Sequence, residues 1–455
     1  MKELHQCSHT FKALLKSLPI TSTDLSPQEL QTMKICFLLS CFTLGANAFT
    51  LNSCLPTSPA KSKLCSSEQN EHEHEDISRS SSNLSRRSAV SKSAQSLAAI
   101  FLANSIIPTD PALADILYPF SSPKTIIMTG SNSGIGYDAA KRMAKQGHQI
   151  ILACRSFSKA NDAVTRMQEE LNDPLLKLIP RECNLADLTS VRNFVDGLVK
   201  DGEIKSIDAL CLNAGIARNT GAKDVLRTAQ GFELTIGTNH LGHFLLTNEV
   251  LNKSLLKDGG NIVVTASSVH DPDSPGGAQG SLATLGSLQG MEKAVAASSD
   301  AFGVFDMVDG GAFDADKAYK DSKLCNVFFM KELQQRLDKD NKGIEVNAFS
   351  PGLIVSTGLF RDQNPIFTKV FDFAATNLLK VGESVHWGGG ALEFMTLDSS
   401  VRSKGGLYYN SPPGSSKYGD KAFGNQFAVT QTSKEAKDDA KGKRFWELSE
   451  KLVGL

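Results

Sequence analysis

Lys124-Thr125-Ile126-Ile127-Met128-Thr129 runs into Gly130-Ser131-Asn132-Ser133-Gly134-Ile135-Gly136, after which Ala139, Ala140, Met143 and Ala144 recur at helical spacing. The first six residues are apolar and β-branched, so the stretch reads as strand, glycine turn and helix. Glycines let a backbone turn tightly and approach a pyrophosphate, which then lies at the positive end of the helix. A glycine triplet alone is weak evidence. Here a second apolar strand, His148-Gln149-Ile150-Ile151-Leu152-Ala153, follows at the expected distance. The cradle predicted for a dinucleotide is therefore Gly130, Ser131, Asn132, Gly134, Ile135 and Gly136.

Cys154-Arg155-Ser156 closes the second strand without the acid that would bind a ribose 2′-hydroxyl. Arg155 can instead pair with a 2′-phosphate, because a guanidinium offers bidentate bonds to phosphate oxygens, so the expected cofactor is NADPH. Further on, Cys183-Asn184-Leu185 closes a third strand, with Asn184 placed to reach an adenine beside Leu185. Leu210-Cys211-Leu212-Asn213-Ala214-Gly215 closes a fourth, bringing Asn213, Ala214 and Gly215 to the cofactor. Strands alternating with helices, and ligands at strand carboxyl ends, imply an α/β fold with a Rossmann-type, doubly wound parallel sheet in a single catalytic domain.

Tyr319 and Lys323 stand four apart in Ala318-Tyr319-Lys320-Asp321-Ser322-Lys323, so on a helix they share a face. A cation beside a phenol stabilises phenolate, and the pair predicts a tyrosine with a lowered pKa acting as proton donor. With Asn213-Ala214-Gly215, Asn239 in a following helix and Ser267-Ser268 after the strand Ile262 to Thr265, the set resembles the short-chain dehydrogenase/reductase superfamily from about Lys124 onward. The resemblance implies that Tyr319 is the acid, Lys323 the pKa-lowering ribose anchor, Ser268 the residue orienting the reacting group, and Asn239 the support of a proton relay.

Ser268 and Tyr319 are 51 positions apart, where the superfamily ordinarily leaves about a dozen, so residues of about 270–315 form an insert. Met307-Val308-Asp309-Gly310-Gly311-Ala312-Phe313-Asp314, Gly237-Thr238-Asn239-His240-Leu241-Gly242-His243-Phe244, Thr357-Gly358-Leu359-Phe360-Arg361 and the final Trp446 to Leu455 resemble the light-dependent protochlorophyllide reductases. That resemblance implies light-driven reduction of the C17=C18 double bond of a protochlorophyllide-like tetrapyrrole. Leu282, Leu285, Leu288, Phe302, Phe305 and Met307 of the insert either cover the macrocycle or pack as ordinary core. One position departs from the family: Leu353 follows Pro351-Gly352 where the relatives carry a cysteine. Leu353 and Ser267-Ser268-Val269-His270 leave open a dark NADP-dependent carbonyl reductase or alcohol dehydrogenase acting on a plastid pigment or retinoid-like substrate. A pigment-binding scaffold without chemistry is disfavoured by Tyr319 and Lys323, because binding needs no proton relay.

The 455 residues carry 48 basic and 49 acidic side chains, a balance with no global field for nucleic acid or anionic lipid. Five of the nine cysteines lie before residue 66, and Cys154, Cys183, Cys211 and Cys325 have no metal-ligand spacing, so neither zinc nor a disulfide framework is expected. Residues 1–114 read as targeting leader and linker, and 121–455 as the catalytic domain. Residues 33–48 have the charged, apolar and small-residue regions of a signal peptide, and 49–64 resemble the transit portion that follows it in complex plastids. Residues 85–114, with Ser85-Arg86-Arg87 and a short apolar run, read either as a thylakoid transfer segment or as mere linker. The leader implies a plastid, with stroma, lumen and thylakoid surface all open; peripheral membrane association and a homo-oligomer are further expectations.

Overall fold

The computed structural model describes residues 122–455 apart from 298–303, 356, 358, 360–374, 376–380 and 419–426. The whole proposed leader, together with Phe302, Phe360 and Arg361, lies outside the described residues.

The β1 strand is Thr125–Thr129, and α1 is Gly134–Lys145. They are followed by β2 Gln149–Cys154, α2 Phe157–Leu171, β3 Leu178–Glu182, α3 Leu188–Asp201 and β4 Ile207–Leu212. A short helical turn and a π-turn, Gly237–Leu241, lead into α4, Gly242–Asn252. Next come β5 Leu256–Thr265, α5 Gln289–Ala297, α6 Ala315–Leu337 and β6 Glu345–Phe349. The chain ends with α7 Val385–Leu397, β7 Tyr408–Asn410, β8 Ala428–Val429 and α8 Asp439–Val453.

Among the described residues the sheet order is β3-β2-β1-β4-β5-β6-β7-β8, with every pair parallel except the last. The doubly wound sheet expected from the sequence is present, with one antiparallel edge strand added. Alternation along β1 explains why both faces are covered. Ile126 and Met128 point into one core with Met143 of α1 and Trp387 of α7, whereas Ile127 points into the other with Val191 of α3 and Phe328 of α6. Reversal of strand order at β1 and β4 opens a crevice at the strand carboxyl ends.

Helix α6 is a 23-residue rod begun by Asp314, whose carboxylate accepts from the Lys317 N–H at 3.0 Å. Its amino-terminal turns bind the insert. Lys317 Nζ donates to Thr284 O at 2.7 Å and to Asp321 Oδ2 at 2.5 Å, and Asp321 Oδ1 accepts from Thr284 N at 2.9 Å. Lys320 Nζ donates to Ser281 O at 2.8 Å and also to Gln279 O. Burial pushes the Asp321 carboxyl up to about 7, against the pull of Lys317. The insert is thus fastened to the helix bearing Tyr319. Of its apolar residues, Leu285, Leu288, Phe305 and Met307 are buried as core and Leu282 is exposed, so packing is what these four do. Among the described residues no helix is long and apolar enough to cross a membrane.

Candidate active site

A cavity of about 400 Å³ lies at the crevice. It has the size of a small-molecule site. The glycine turn forms one wall. Gly130 has φ +67°, a left-handed conformation, and a Cβ there would stand 2.8 Å from Ala214 Cα. At Gly136 a Cβ would stand 2.4 Å from Asn213 Nδ2 and 2.6 Å from Gly130 O. Only glycine permits this closeness of α1, β1 and β4. Ser133 precedes α1 without capping it by its side chain, and Gly134, Ile135 and Gly136 line the cavity. Unpaired N–H groups at a helix start suit an anion.

Asn132, Arg155, Asn184, Leu185, Asn213, Ala214, Gly215, Tyr319 and Lys323 all reach this cavity, as the sequence predicted. Three predicted residues are not among its lining. Ser131 is fully buried, its hydroxyl donating to Met128 O at 3.2 Å, so it shapes the turn from behind. Asn239 is also fully buried, and Ser268 stands outside the wall while its neighbour Ser267 lines it. The Ser268 N–H donates to Ser350 Oγ at 3.2 Å and its carbonyl accepts from Ser274 Oγ at 2.7 Å, turning the backbone so that Ser267 faces inward.

Asn239 sits in a π-turn rather than a regular helix, a one-residue widening that recurs at functional sites. Its Oδ1 accepts from Ile216 N at 2.9 Å, and its Nδ2 donates to Ile216 O at 2.9 Å and to Ser322 Oγ at 3.0 Å. One carboxamide therefore pins the segment after Gly215 to the helix carrying Tyr319 and Lys323.

Lys323 Nζ donates to Thr265 O at 3.1 Å and lies 5.6 Å from the centre of the Tyr319 ring. Burial brings the ammonium down to about 8. Burial also raises the Tyr319 phenol above its ordinary range, which corrects the expectation of a lowered tyrosine. Within the protein alone, desolvation outweighs the neighbouring cation.

A nicotinamide dinucleotide fits these residues. Asn213 Oδ1, Thr238 Oγ1 and Thr265 Oγ1 are buried without a hydrogen-bond partner, and all three residues line the cavity. Buried polar atoms need partners, and a ligand rich in hydroxyl and amide groups supplies them. Sequence reading missed Lys159, which lines the cavity together with Arg155. The available signal was a second cation in the first turn of the helix that follows Arg155, whose N-cap is Ser156. It also missed Thr129, whose Oγ1 accepts from Asn213 N at 2.9 Å and Ala214 N at 3.0 Å. No local pattern marks that threonine. Leu353 is absent from the cavity lining; its carbonyl accepts from Glu383 N at 2.8 Å.

A short chain dehydrogenase family profile matches residues 124–298. The chloroplastic protochlorophyllide reductase of Cucumis sativus is 35% identical over 336 residues, covering 73% of this chain and 78% of the relative. That of Chlamydomonas reinhardtii is 34% identical over 359 residues, with coverage of 76% and 83%. Protochlorophyllide reductase A of Arabidopsis thaliana is 34% identical over 333 residues, with coverage of 72% and 76%.

Proposed function

We propose a function that proceeds from membership: the chain belongs to the protochlorophyllide reductases of the short-chain dehydrogenase family. It is an oxidoreductase that performs the light-dependent reduction of the C17=C18 double bond of protochlorophyllide. The observation carrying this reading is the joining of Tyr319 and Lys323 to the glycine-turn cavity in a chain about 35% identical to named reductases over 73% of its length.

NADPH is the cofactor that Arg155 and Lys159 favour, two cations at the end of the cavity where a 2′-phosphate would sit. When bound, the nicotinamide supplies hydride to one carbon of the double bond after the pigment absorbs a photon. Tyr319 delivers the proton to the other carbon from its hydroxyl, which burial keeps protonated. Lys323 anchors the ribose, and a hydroxyl partner there stabilises its charged form against desolvation. Ser267, facing the cavity, takes the orienting place that the resemblance gave to Ser268. Asn239 holds the wall in place and supports the relay behind Lys323.

The test is an absorption spectrum of the purified protein with NADPH and protochlorophyllide before and after one flash. Conversion only after the flash supports the reading, and conversion of a carbonyl substrate in darkness replaces it with the dark reductase to which Leu353 lends support. We place the protein in a plastid, on the stromal side where NADPH is available, with residues 1–114 as leader and 121–455 as the catalytic domain. A fluorescent fusion of residues 33–120 entering a complex plastid would bear this out; cytosolic or secreted fluorescence would refute it.

A further inference from the structure

We propose that His243 is a positioning residue whose neutral imidazole couples the cofactor-facing turn Asn213-Ala214 to the π-turn carrying Asn239. The inference rests on the cavity being a dinucleotide site and is independent of which pigment is reduced.

The geometry fixes the protons. His243 is 3% exposed, its Nδ1 lies 3.0 Å from Asn239 O, and its Nε2 lies 2.9 Å from Thr129 Oγ1. A carbonyl oxygen only accepts, so Nδ1 carries the proton. Burial, reinforced by the Lys323 charge, lowers the imidazolium to about 4, leaving the ring neutral at physiological pH. Nε2 is then an acceptor, and the Thr129 hydroxyl donates to it. The longer 3.2 Å approach of that hydroxyl to Cys211 O yields, since one proton cannot serve both. The Thr129 lone pairs stay free to accept from Asn213 N and Ala214 N at 2.9 and 3.0 Å.

A continuous chain of hydrogen bonds results. It runs from the backbone of Asn213-Ala214 through Thr129 and His243 to the Asn239 carbonyl. The Asn239 side chain then continues it to Ile216 and to Ser322, one residue before Lys323. Cofactor-facing backbone and catalytic helix are thereby held in one register around Gly215. A side chain at position 243 that only filled space would cut the link between Thr129 and the Asn239 carbonyl, the Thr129 hydroxyl turning instead to Cys211 O at 3.2 Å.

Two measurements on the full-length protein test this. In protein with 15N-labelled histidine, the His243 ring is expected as the neutral Nδ1–H tautomer from pH 6 to 9; an Nε2–H tautomer or a charged ring in that range overturns the proposal. His243→Phe should weaken NADPH binding and lower kcat, each about tenfold, the equilibrium worth of one lost buried hydrogen-bonded link. His243→Gln, whose amide can donate to Asn239 O and accept from Thr129, should restore both to within about threefold. Should His243→Phe fail to fold, Thr129→Val carries the same test, with a similar loss of NADPH affinity expected. Variants that fold with reduced Tm but unchanged NADPH affinity and kcat would make the histidine merely structural. Failure of glutamine to rescue either constant would equally refute the coupling.

Discussion

Lys323 reaches from α6 to the end of β5, where its Nζ donates to the carbonyl oxygen of Thr265 at 3.1 Å. The same carbonyl accepts from Asn326 Nδ2 at 3.2 Å, so the ammonium is steered before any ligand arrives. It is 4% exposed and pairs with no carboxylate among the described residues, and desolvation dominates its ionisation.

That ionisation gives a pH dependence. Lys323 titrates near 8 in the folded protein and near 10.5 when unfolded. Between these values the unfolded chain binds more protons, so stability rises with pH across that window and the penalty of burying the charge is present below it. The rise attributable to Lys323 is at most about 3 kcal/mol, and Lys323→Met should abolish it. Urea denaturation of both proteins at intervals between pH 7 and 10.5 would measure the difference; parallel curves would count against the shift.

Tyr319→Phe keeps the ring that packs beside Lys323 while removing the acidic proton. Turnover should fall about 100-fold or more, within the range of general acid catalysis. Equilibrium titration of NADPH should change little, and single-flash spectroscopy separates the two effects.

Arg155 and Lys159 both line the cavity, and in the proposed NADPH site they face the 2′-phosphate. NADPH should bind at least about tenfold more tightly than NADH, roughly 1.4 kcal/mol, and Arg155→Glu should erase most of that difference. Fluorescence titration with the two nucleotides measures it; equal affinities in the parent protein would contradict the assignment.

Gly136→Ala would place a methyl 2.4 Å from Asn213 Nδ2 and 2.6 Å from Gly130 O. Gly130 O is backbone, and Asn213 Nδ2 is held in place by donating to Thr129 O at 2.9 Å. A loss of about 1–3 kcal/mol in stability is expected from the overpacking, with NADPH binding lost further because the pyrophosphate wall moves. Thermal denaturation with and without NADPH resolves the two contributions.

Leu353 is held through its backbone, by Glu383 and by a bridge to Gly382, and lies outside the cavity lining. Leu353→Cys should therefore leave light-driven turnover unchanged or raise it, since the thiol adds a weak donor at a position the backbone already fixes. A loss of turnover would show that leucine has been accommodated by the surrounding residues.

The strand, glycine turn and helix of residues 124–145, the unacidic end of β2 and the four-residue spacing of Tyr319 and Lys323 were legible because each is local. Periodicity and backbone sterics act over a few residues, and a sequence displays them directly. The fold class followed from their repetition. Tertiary structure alone decided which polar atoms meet and which side of a turn faces the cavity. Lys323 finds Thr265 across 58 residues, and Thr129 finds His243 across 114. Ser267 rather than Ser268 faces inward because the backbone beyond it is tied to Ser350 and Ser274. The ionisation of Tyr319 turned the same way: a neighbouring cation can be read from spacing, but the burial that outweighs it exists only once the chain has closed around the site.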